Sequence, residues 1–508
     1  IQAEEKEPET IAVLPFVDMS PDGDNEYFSD GLTEELLNIL AKIKDLQVAG
    51  RTSSFAFKGQ NEDLRGIGEK LGVKTILEGS VRKDEAGNRV RITAQLVNVE
   101  NGFHLWSETY DRDLKDIFAI QDEIAHEVAA ALQITLFGED EERLASLATT
   151  ELSAYETYLQ AMQKYNTFRY ADLREAERLY MRSIELDPSY APARMGLART
   201  LFELQATGAM GRDEVTERAE PILENILADD PGNAEARTFS GRLLGWQGDL
   251  AGRYRELEQA LTDDPRNTRA LDDMASLVFF DGESDLGLQY LQEAERLDPY
   301  SIRVLWSLCS FNSLRQDPDA ALPYCDRIGE IEPNNPMADY GRASAAQNNG
   351  DIATALVWNI KAAEKDPDDH ELPAGIAALW LDLGDSERAE KWLQAADAIS
   401  PDKTGSVSSR ILLMISREQN ALAGDMARRA LISGLDHRVG FTGNIETMFL
   451  ADSVAKGNYQ GALDYFKTTR PEFFADLDSI SRKNLSGTRT MIDIAYLMQL
   501  QGAESQHA

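Results

Sequence analysis

The sequence has few of the residues that build metal sites and disulfide frameworks. It contains two cysteines, Cys309 and Cys325, and five histidines among 508 residues. The histidines are scattered along the chain, at His104, His126, His370, His437 and His507. Such spacing offers no cluster of metal ligands, so neither a metal nor another cofactor is expected. Two cysteines in a chain of this length do not make a disulfide framework.

Long apolar runs are also missing. No stretch reaches the roughly eighteen apolar residues that a membrane-spanning helix needs. The chain does not begin with Met and opens with a polar stretch, residues 1–8, which we interpret as a tether. We expect the natural protein to carry a further part before it, because no signal peptide is recognisable.

Basic residues are outnumbered. The chain has 51 Lys and Arg against 88 Asp and Glu, and its formal net charge is −37. Such a surface repels phosphate backbones and anionic lipids, so nucleic-acid binding is not expected. A basic or amphipathic polypeptide fits this field better as a partner. An equally good interpretation is that the net charge serves only to keep a long chain in solution.

The strongest pattern in the sequence is a repeat of 34 residues. An acidic or polar residue followed by proline recurs at this interval, with the prolines at Pro231, Pro265, Pro299, Pro333, Pro367 and Pro401. Small residues recur at the same interval, at Gly241, Ala275, Cys309, Ala343 and Ala377. A glycine follows at Gly248, Gly282, Gly350 and Gly384, where Gln316 is the exception. Small residues let antiparallel helices approach, Gly permits a sharp turn, and Pro ends the second helix.

The period and pattern resemble the tetratricopeptide repeat (TPR), in which stacked helical hairpins share one continuous core. We expect an all-α TPR solenoid of about nine repeats over residues 155–502. A degenerate repeat is predicted at 404–437, and another unit near Tyr459. Residues 490–501 look like a first helix without a second, before a tail at 503–508. We therefore expect that the chain continues naturally or that another chain covers this face.

The first part of the chain, residues 9–137, follows different rules. Short apolar strands alternate with amphipathic helices in the order β-α-β-α-β-β-β-α, which predicts an α/β domain with a mixed sheet. Glu26 to Ile43 is predicted as a helix and Leu46 to Phe57 as a strand. A linker helix is expected at 138–154.

Five strings of residues carry a more specific resemblance. They are 11–16 (IAVLPF), 27–35 (YFSDGLTEE), 51–55 (RTSSF), 77–82 (LEGSVR) and 104–112 (HLWSETYDR). Together they resemble the bacterial TolB-N-terminal-like (FlgO-like) domain followed by TPRs. In that family the pair commonly follows one transmembrane helix and a cytoplasmic CadC-type winged-helix transcription regulator or class III adenylate cyclase. The resemblance implies a position on the periplasmic side of the inner membrane, and a cytoplasmic location is the alternative.

Two groups of residues imitate catalytic motifs. Gly66, Gly68 and Gly72 are close to a dinucleotide fingerprint, but the last gap is one residue too long and a helix precedes them. We interpret them as packing and helix-capping residues. The hydroxyls of 29–30 and 51–54 have no histidine near them in sequence, so capping is favoured over a hydrolase triad. The sequence therefore predicts no catalytic residue.

The predicted groove of the repeats is where residue choice is informative. In TPR proteins certain positions of the first helix line the concave face. Here these positions hold Arg242, Trp246, Arg269, Asp272, Phe279, Phe280, Arg303, Trp306 and Tyr340. Arg and aromatic residues are preferred anchors in recognition, and three arginines in an acidic chain suit a carboxylate. The alternative, given equal weight, is that the aromatic rings only seal contacts between repeats.

The two cysteines fall within one repeat. Cys309 takes the small position of the first helix, and Cys325 lies on the second helix, one turn beyond the residue expected opposite Cys309. A disulfide needs Cα atoms within about 7 Å. We therefore expect buried free thiols rather than a disulfide.

Three functions fit these observations. The first is an extracytoplasmic sensing and protein- or peptide-binding module of a single-spanning bacterial signalling protein. The second is the regulatory half of a membrane adenylate cyclase, and the third is a structural TPR scaffold. A homodimer is compatible with each of them.

Overall fold

The computed structural model describes residues 9–20, 25–43, 46–60, 62–84, 88–134, 151–167, 169–206, 210–369, 371–399, 404–432, 449, 452–453 and 456–469. Their contacts define two compact units. Unit 1 takes the described residues up to Leu243, with Gln259–Thr268 and Glu295–Ser301. Unit 2 takes Leu244–Glu258, Arg269–Ala294 and the described residues from Ile302 onward.

Unit 1 begins with a six-stranded sheet. Its strands are β1 (Glu9–Val13), β2 (Val17–Asp18), β3 (Leu46–Val48), β4 (Thr75–Lys83), β5 (Arg89–Asn98) and β6 (His104–Asp113). The order is β3-β1-β4-β5-β6, and β2 pairs with β4. β1 is parallel to β3 and β4, whereas β4, β5 and β6 form an antiparallel ladder. The predicted mixed sheet is confirmed.

Helices provide the other half of this core. They are α1 (Glu26–Ala41), α2 (Arg51–Phe55), α3 (Leu64–Leu71) and α4 (Ile117–Ala131). Apolar residues recur every four positions along α1 and α4 and are fully buried, as at Leu32, Leu36, Leu40, Ile120, Ile124 and Val128. In β5, alternate residues from Val90 to Leu96 are fully buried as well. The buried apolar residues of the two helices and the buried alternate residues of β5 therefore pack into one hydrophobic core.

The strand predicted from Leu46 to Phe57 is wrong beyond its third residue. β3 ends at Val48, and α2 occupies Arg51–Phe55. Gly50 is still extended, with φ −58° and ψ 150°, and the helix begins at the next residue. The apolar periodicity of this short run is ambiguous, so contacts outside the segment decide its conformation.

Helical hairpins follow, as the repeat predicted. The first four pair α5 (Leu152–Tyr165) with α6 (Tyr170–Leu186), α7 (Ala191–Ala206) with α8 (Arg212–Asp229), α9 (Ala234–Trp246) with α10 (Leu250–Asp263), and α11 (Thr268–Phe280) with α12 (Ser284–Leu297). The next four pair α13 (Ile302–Leu314) with α14 (Pro318–Ile331), α15 (Pro336–Asn348) with α16 (Ile352–Lys365), α17 (Glu371–Asp382) with α18 (Ser386–Ile399), and α19 (Thr404–Ser416) with α20 (Asn420–Ile432). A further helix, α21, spans Tyr459–Thr469. The predictions for 138–150 and 490–508 lie outside the described residues.

The turns inside the hairpins follow one design. Gly248, Gly282, Gly350 and Gly384 all have positive φ, between 78° and 99°. Gln316 takes the equivalent place with φ 60°. The residue after the turn often caps the second helix: the side chains of Asp317 and Asp351 accept the N–H groups of Ala320 and Thr354 at 3.1 and 3.0 Å. A turn that needs a left-handed residue and a capping Asp therefore recurs with the period.

The predicted free thiols are wrong. Cys309 on α13 and Cys325 on α14 form a disulfide, with Cα atoms 5.5 Å apart and both side chains fully buried. A Cβ on Gly341 of α15 would lie 2.6 Å from the Cys309 sulfur and 3.0 Å from the Cys325 sulfur. Since only a residue without a Cβ fits there, α15 closes over the disulfide. The relative rotation of the two helices, which spacing does not reveal, brings the sulfurs together.

Candidate peptide-binding face

All nine predicted groove residues lie on the first helices of four successive hairpins, α9, α11, α13 and α15. Arg242 belongs to unit 1, where its guanidinium lies 5.5 Å from the ring centroid of Phe239. The other eight belong to unit 2. Trp246 and Arg269, like Arg242, are partly exposed.

The two polar residues at the centre of the set bind each other. Arg303 on α13 donates from Nη1 to Oδ2 of Asp272 on α11 at 2.7 Å. Asp272 is 5% exposed, so this carboxylate is held away from water. The guanidinium predicted as a carboxylate anchor therefore already holds a carboxylate of the chain itself.

Aromatic residues form two further contacts between successive first helices. The rings of Trp306 and Tyr340 are stacked, with centroids 5.6 Å apart and planes at 23°. Both side chains are partly exposed, although burial raises the pKa of Tyr340, and Glu371 and Asp369 raise it further. The stacked pair packs two successive repeats together and leaves part of both aromatic rings exposed to solvent.

Phe279 and Phe280 belong to a ring cluster that sequence reasoning left incomplete. Its third member is Phe311 on α13, buried, with its centroid 4.1 Å from Phe279 and 5.9 Å from Phe280. Phe280 is 51% exposed, and Leu314, one repeat length further on, is 48% exposed. The signal for Leu314 was present in the sequence, because Trp246, Phe280 and Leu314 recur every 34 residues. We call Phe280 and Leu314, with Trp246, the apolar column.

The hydroxyls that imitated a catalytic motif have structural contacts, but the capping predicted for them is wrong, because Asn25 and Gly50 hold the N-cap positions of α1 and α2. Ser29 donates to the carbonyl oxygens of Asn25 and Glu26 at 3.3 Å, and the Ser53 hydroxyl donates to the Asp298 carboxylate. The glycines at 66–72 lie in and after α3, where Gly72 ends the helix with φ 65°. The capping interpretation of these glycines is confirmed.

The described part of the chain offers neither a metal cluster nor a membrane-spanning helix. There, no group of three or more His, Cys, Asp or Glu side chains is arranged to hold a metal ion. No helix of the described residues is long and apolar enough to cross a membrane.

A domain with a mixed α/β sheet, followed by an array of helical hairpins with a 34-residue period, defines the fold class as an α/β domain joined to an all-α solenoid of the tetratricopeptide-repeat type. No protein-family model matches the chain. A relative from Rhizobium meliloti (strain 1021), "Putative adenylate cyclase 3", is 39% identical over 240 residues, which are 47% of this chain and 40% of that protein. The chain thus spans less than half of that relative's length.

Two similar solved structures are described as tetratricopeptide-repeat proteins. A tetratricopeptide repeat protein from Parabacteroides merdae ATCC 43184 is 18% identical, with a TM-score of 0.39, over 50% of this chain and 98% of its own. YrrB, described as a TPR protein with an unusual peptide-binding site, is also 18% identical, with a TM-score of 0.27, over 37% of this chain and 97% of its own.

Proposed function

We propose that the repeat array binds a peptide or protein segment on its first helices in unit 2. The apolar column carries this proposal, because Phe280 and Leu314 expose about half of their side chains at equivalent positions of successive repeats. Exposed apolar residues that repeat in register are a common feature of recognition surfaces. The stacked Trp306 and Tyr340 extend the aromatic surface on the next helices.

The proposed partner is an extended amphipathic segment with basic residues. Its apolar side chains would contact the column, and its charge would complement a chain of net charge −37. An acidic peptide or a C-terminal carboxylate, held by Arg269 and Arg303, is the second candidate. The Arg303–Asp272 ion pair weighs against it, because a carboxylate ligand would have to compete with Asp272.

Binding is tested with two labelled peptides of matched length, one basic and amphipathic, one acidic with a free C-terminus. Phe280→Ala combined with Leu314→Ala should weaken binding of the first peptide at least about tenfold, since each loses a large apolar contact. Leu383→Ala is the control, because Leu383 is 49% exposed in unit 2 but stands outside the column. Binding of the acidic peptide alone, lost in Arg303→Ala, would favour the second candidate.

We propose further that this module belongs to a single-spanning bacterial signalling protein and lies on the extracytoplasmic side of the inner membrane. Two observations support this placement: the resemblance of the N-terminal motifs and the Cys309–Cys325 disulfide. Disulfides persist mainly in oxidising compartments. Alkylation of thiols in intact cells, followed by unfolding and a second label, tests it. Cysteines found reduced in the natural gene product would favour the cytoplasmic alternative.

The alternative is that this module is the regulatory half of a membrane adenylate cyclase, and the 39% identity to the Rhizobium meliloti protein supports it. In that case the present chain regulates, and the catalytic half of the same protein makes the product. The natural gene product should then raise cyclic AMP in a cyclase-deficient strain, and the Phe280→Ala, Leu314→Ala variant should change its response. The isolated chain should show no cyclase, ATPase or esterase activity. A plain structural scaffold is favoured if neither peptide binding nor a second messenger is found.

A further inference from the structure

Strand β6 is the outer strand of the sheet in unit 1. Its ten residues pair with β5 on one side, and among the described residues no strand pairs with its other side. The strand contains neither proline nor lysine, which commonly prevent edge strands from pairing. Its outer edge is therefore available to a further strand.

One hydrogen bond shows which backbone groups point outward. The N–H of Leu114 donates to the carbonyl oxygen of Asn88 at 2.8 Å, which continues the β5–β6 ladder. Because ladder bonds alternate along an antiparallel pair, the even-numbered residues from Trp106 to Arg112 bond to β5 and the odd-numbered ones between them point away; the register shifts only before Trp106. The outward N–H groups on the central part of the strand belong to Ser107, Thr109 and Asp111.

Many of the charged side chains at this edge are paired within the chain. Arg89 and Arg91 pair with Asp111, Arg112 pairs with Glu123, and Lys115 pairs with Asp113. Asp116 and Glu127 also act on β6, so the edge keeps a small acidic excess, but the ion pairs reduce the repulsion between two copies. Glu108 is exposed, and within the described part of the chain it makes no ion pair.

We propose that β6 pairs in antiparallel fashion with β6 of a second copy of the chain, so that two sheets become one. With Tyr110 on the two-fold axis, the residues from Ser107 to Asp113 pair. Glu108 then faces Arg112 of the second copy, and Thr109 faces Asp111. The register centred on Glu108 would instead place two carboxylates face to face. Cross-strand charge thus favours the first register over the second.

A second copy fits this edge better than an unrelated extended segment. A two-fold axis makes each contact twice. Glu108 of each copy therefore pairs with Arg112 of the other copy, and no further chain is needed. Arg112 is already oriented, because its Nη1 and Nη2 donate to the two carboxylate oxygens of Glu123 at 2.7 and 2.9 Å. These bonds use two of its five N–H donors, and the Nε–H is among the three left for Glu108 of the second copy.

Sedimentation equilibrium of the full chain over a range of concentrations tests the proposal. The chain should form a reversible dimer. Thr109→Pro should raise the dimer dissociation constant at least tenfold, because it removes an outward N–H while the bonds from β6 to β5 use even-numbered residues. Thr109→Val is the control and should leave the constant within twofold. Circular dichroism and thermal unfolding show whether each variant keeps its fold.

A second pair of variants stays informative if Thr109→Pro fails to fold. Glu108→Arg places like charges opposite each other in the dimer, whereas Glu108→Gln only removes the attraction. The first should weaken dimerisation more than the second, and high salt should reduce the difference between them. A chain that stays monomeric at every concentration, or a dimer insensitive to both Thr109→Pro and Glu108→Arg, overturns the proposal. Monomers that bind an extended peptide along β6 overturn it as well.

Discussion

The N–H of Ser53 donates to the carboxylate of Asp298 at 3.1 Å, across a sequence separation of 245 residues. The Ser53 hydroxyl accepts a hydrogen bond from the N–H of Tyr300 at 3.0 Å. The ring of Tyr300 meets Phe57 edge to face at 5.3 Å. A Cβ on Gly50 would lie 2.5 Å from Asp298. Within unit 1, the loop that ends a repeat is therefore docked on the α/β domain.

Removal of the Asp298 carboxylate should destabilise the folded chain. Asp298→Ala leaves the Ser53 N–H and hydroxyl buried without their acceptor, which typically costs about 1–3 kcal/mol. Asp366→Ala is the control at the same position of a later repeat, since the Asp366 carboxylate accepts from the backbone N–H groups of Asp368 and Asp369 in its own turn. Chemical denaturation of both variants should show the larger loss for Asp298→Ala, together with faster hydrogen exchange at Ser53. Equal losses would mean that the docking contributes nothing to stability.

A buried carboxyl group in unit 1 predicts a pH dependence of stability. Glu35 on α1 is fully enclosed, and burial raises its pKa from 4.5 to about 7, while the Tyr158 hydroxyl that donates to it at 2.9 Å opposes the shift. Glu34 raises the pKa further, and Asn38 and Arg199 lower it. The folded chain therefore holds a proton that the unfolded chain releases between pH 4.5 and 7.

The stabilising contribution of protonated Glu35 is complete below the unfolded pKa and is lost as the pH rises through the folded pKa. Glu35→Gln keeps the shape without the charge. Relative to the wild type, its free energy of unfolding should increase between about pH 5 and pH 8, by at most about 3 kcal/mol. Urea titrations at several pH values measure this, with exposed Glu69→Gln as the control. Parallel pH profiles for wild type and Glu35→Gln would contradict the prediction.

The turn at Gln316 is strained relative to its neighbours. Its φ of 60° is the left-handed conformation that Gly350 adopts in the next repeat at 85°. A residue with a Cβ is disfavoured there, so Gln316→Gly should raise the free energy of unfolding by about 0.5–1 kcal/mol. The reciprocal change Gly350→Ala should lower it by a similar amount. Thermal unfolding of the two variants gives the sign of each change in stability. A loss of stability in Gln316→Gly would contradict the prediction.

The disulfide should make a measurable contribution. Cys309 and Cys325 close a loop with a sequence separation of 16, for which the constraint on the unfolded chain is worth about 3 kcal/mol. Cys309→Ala with Cys325→Ala should lower the denaturation midpoint. Wild type unfolded in the presence of a reductant should show most of the same decrease. An unchanged midpoint under reductant would show that the bond is not formed or does not stabilise the protein.

The array of helical hairpins could be predicted from the sequence because each of its repeating residues acts locally. A proline that ends a helix, a glycine with positive φ and a small buried residue such as Ala343 each impose their effect within one hairpin or against the next. Their 34-residue spacing therefore predicted both the hairpins and their turns. The alternating residues of β5 predicted a strand for the same reason, since a period of two marks a half-buried strand.

The candidate face was predictable only in part. The repeat placed Asp272 and Arg303 on first helices, but no spacing rule showed that the two side chains bind each other. Leu314 could have been found from its register with Phe280. Phe311 could not, because its contact depends on the rotation of α13 against α11.

By itself, the sequence determined the hairpin period, the turn chemistry, the mixed sheet and the acidic surface, all of which follow from residue type and near-neighbour spacing. Only the tertiary structure decided the helix at Arg51–Phe55, the disulfide, the Arg303–Asp272 ion pair and the contact of Ser53 with Asp298. Each of these depends on the direction in which a side chain leaves its own helix or loop. That direction is set when distant segments pack together, and packing is not encoded in any one repeat.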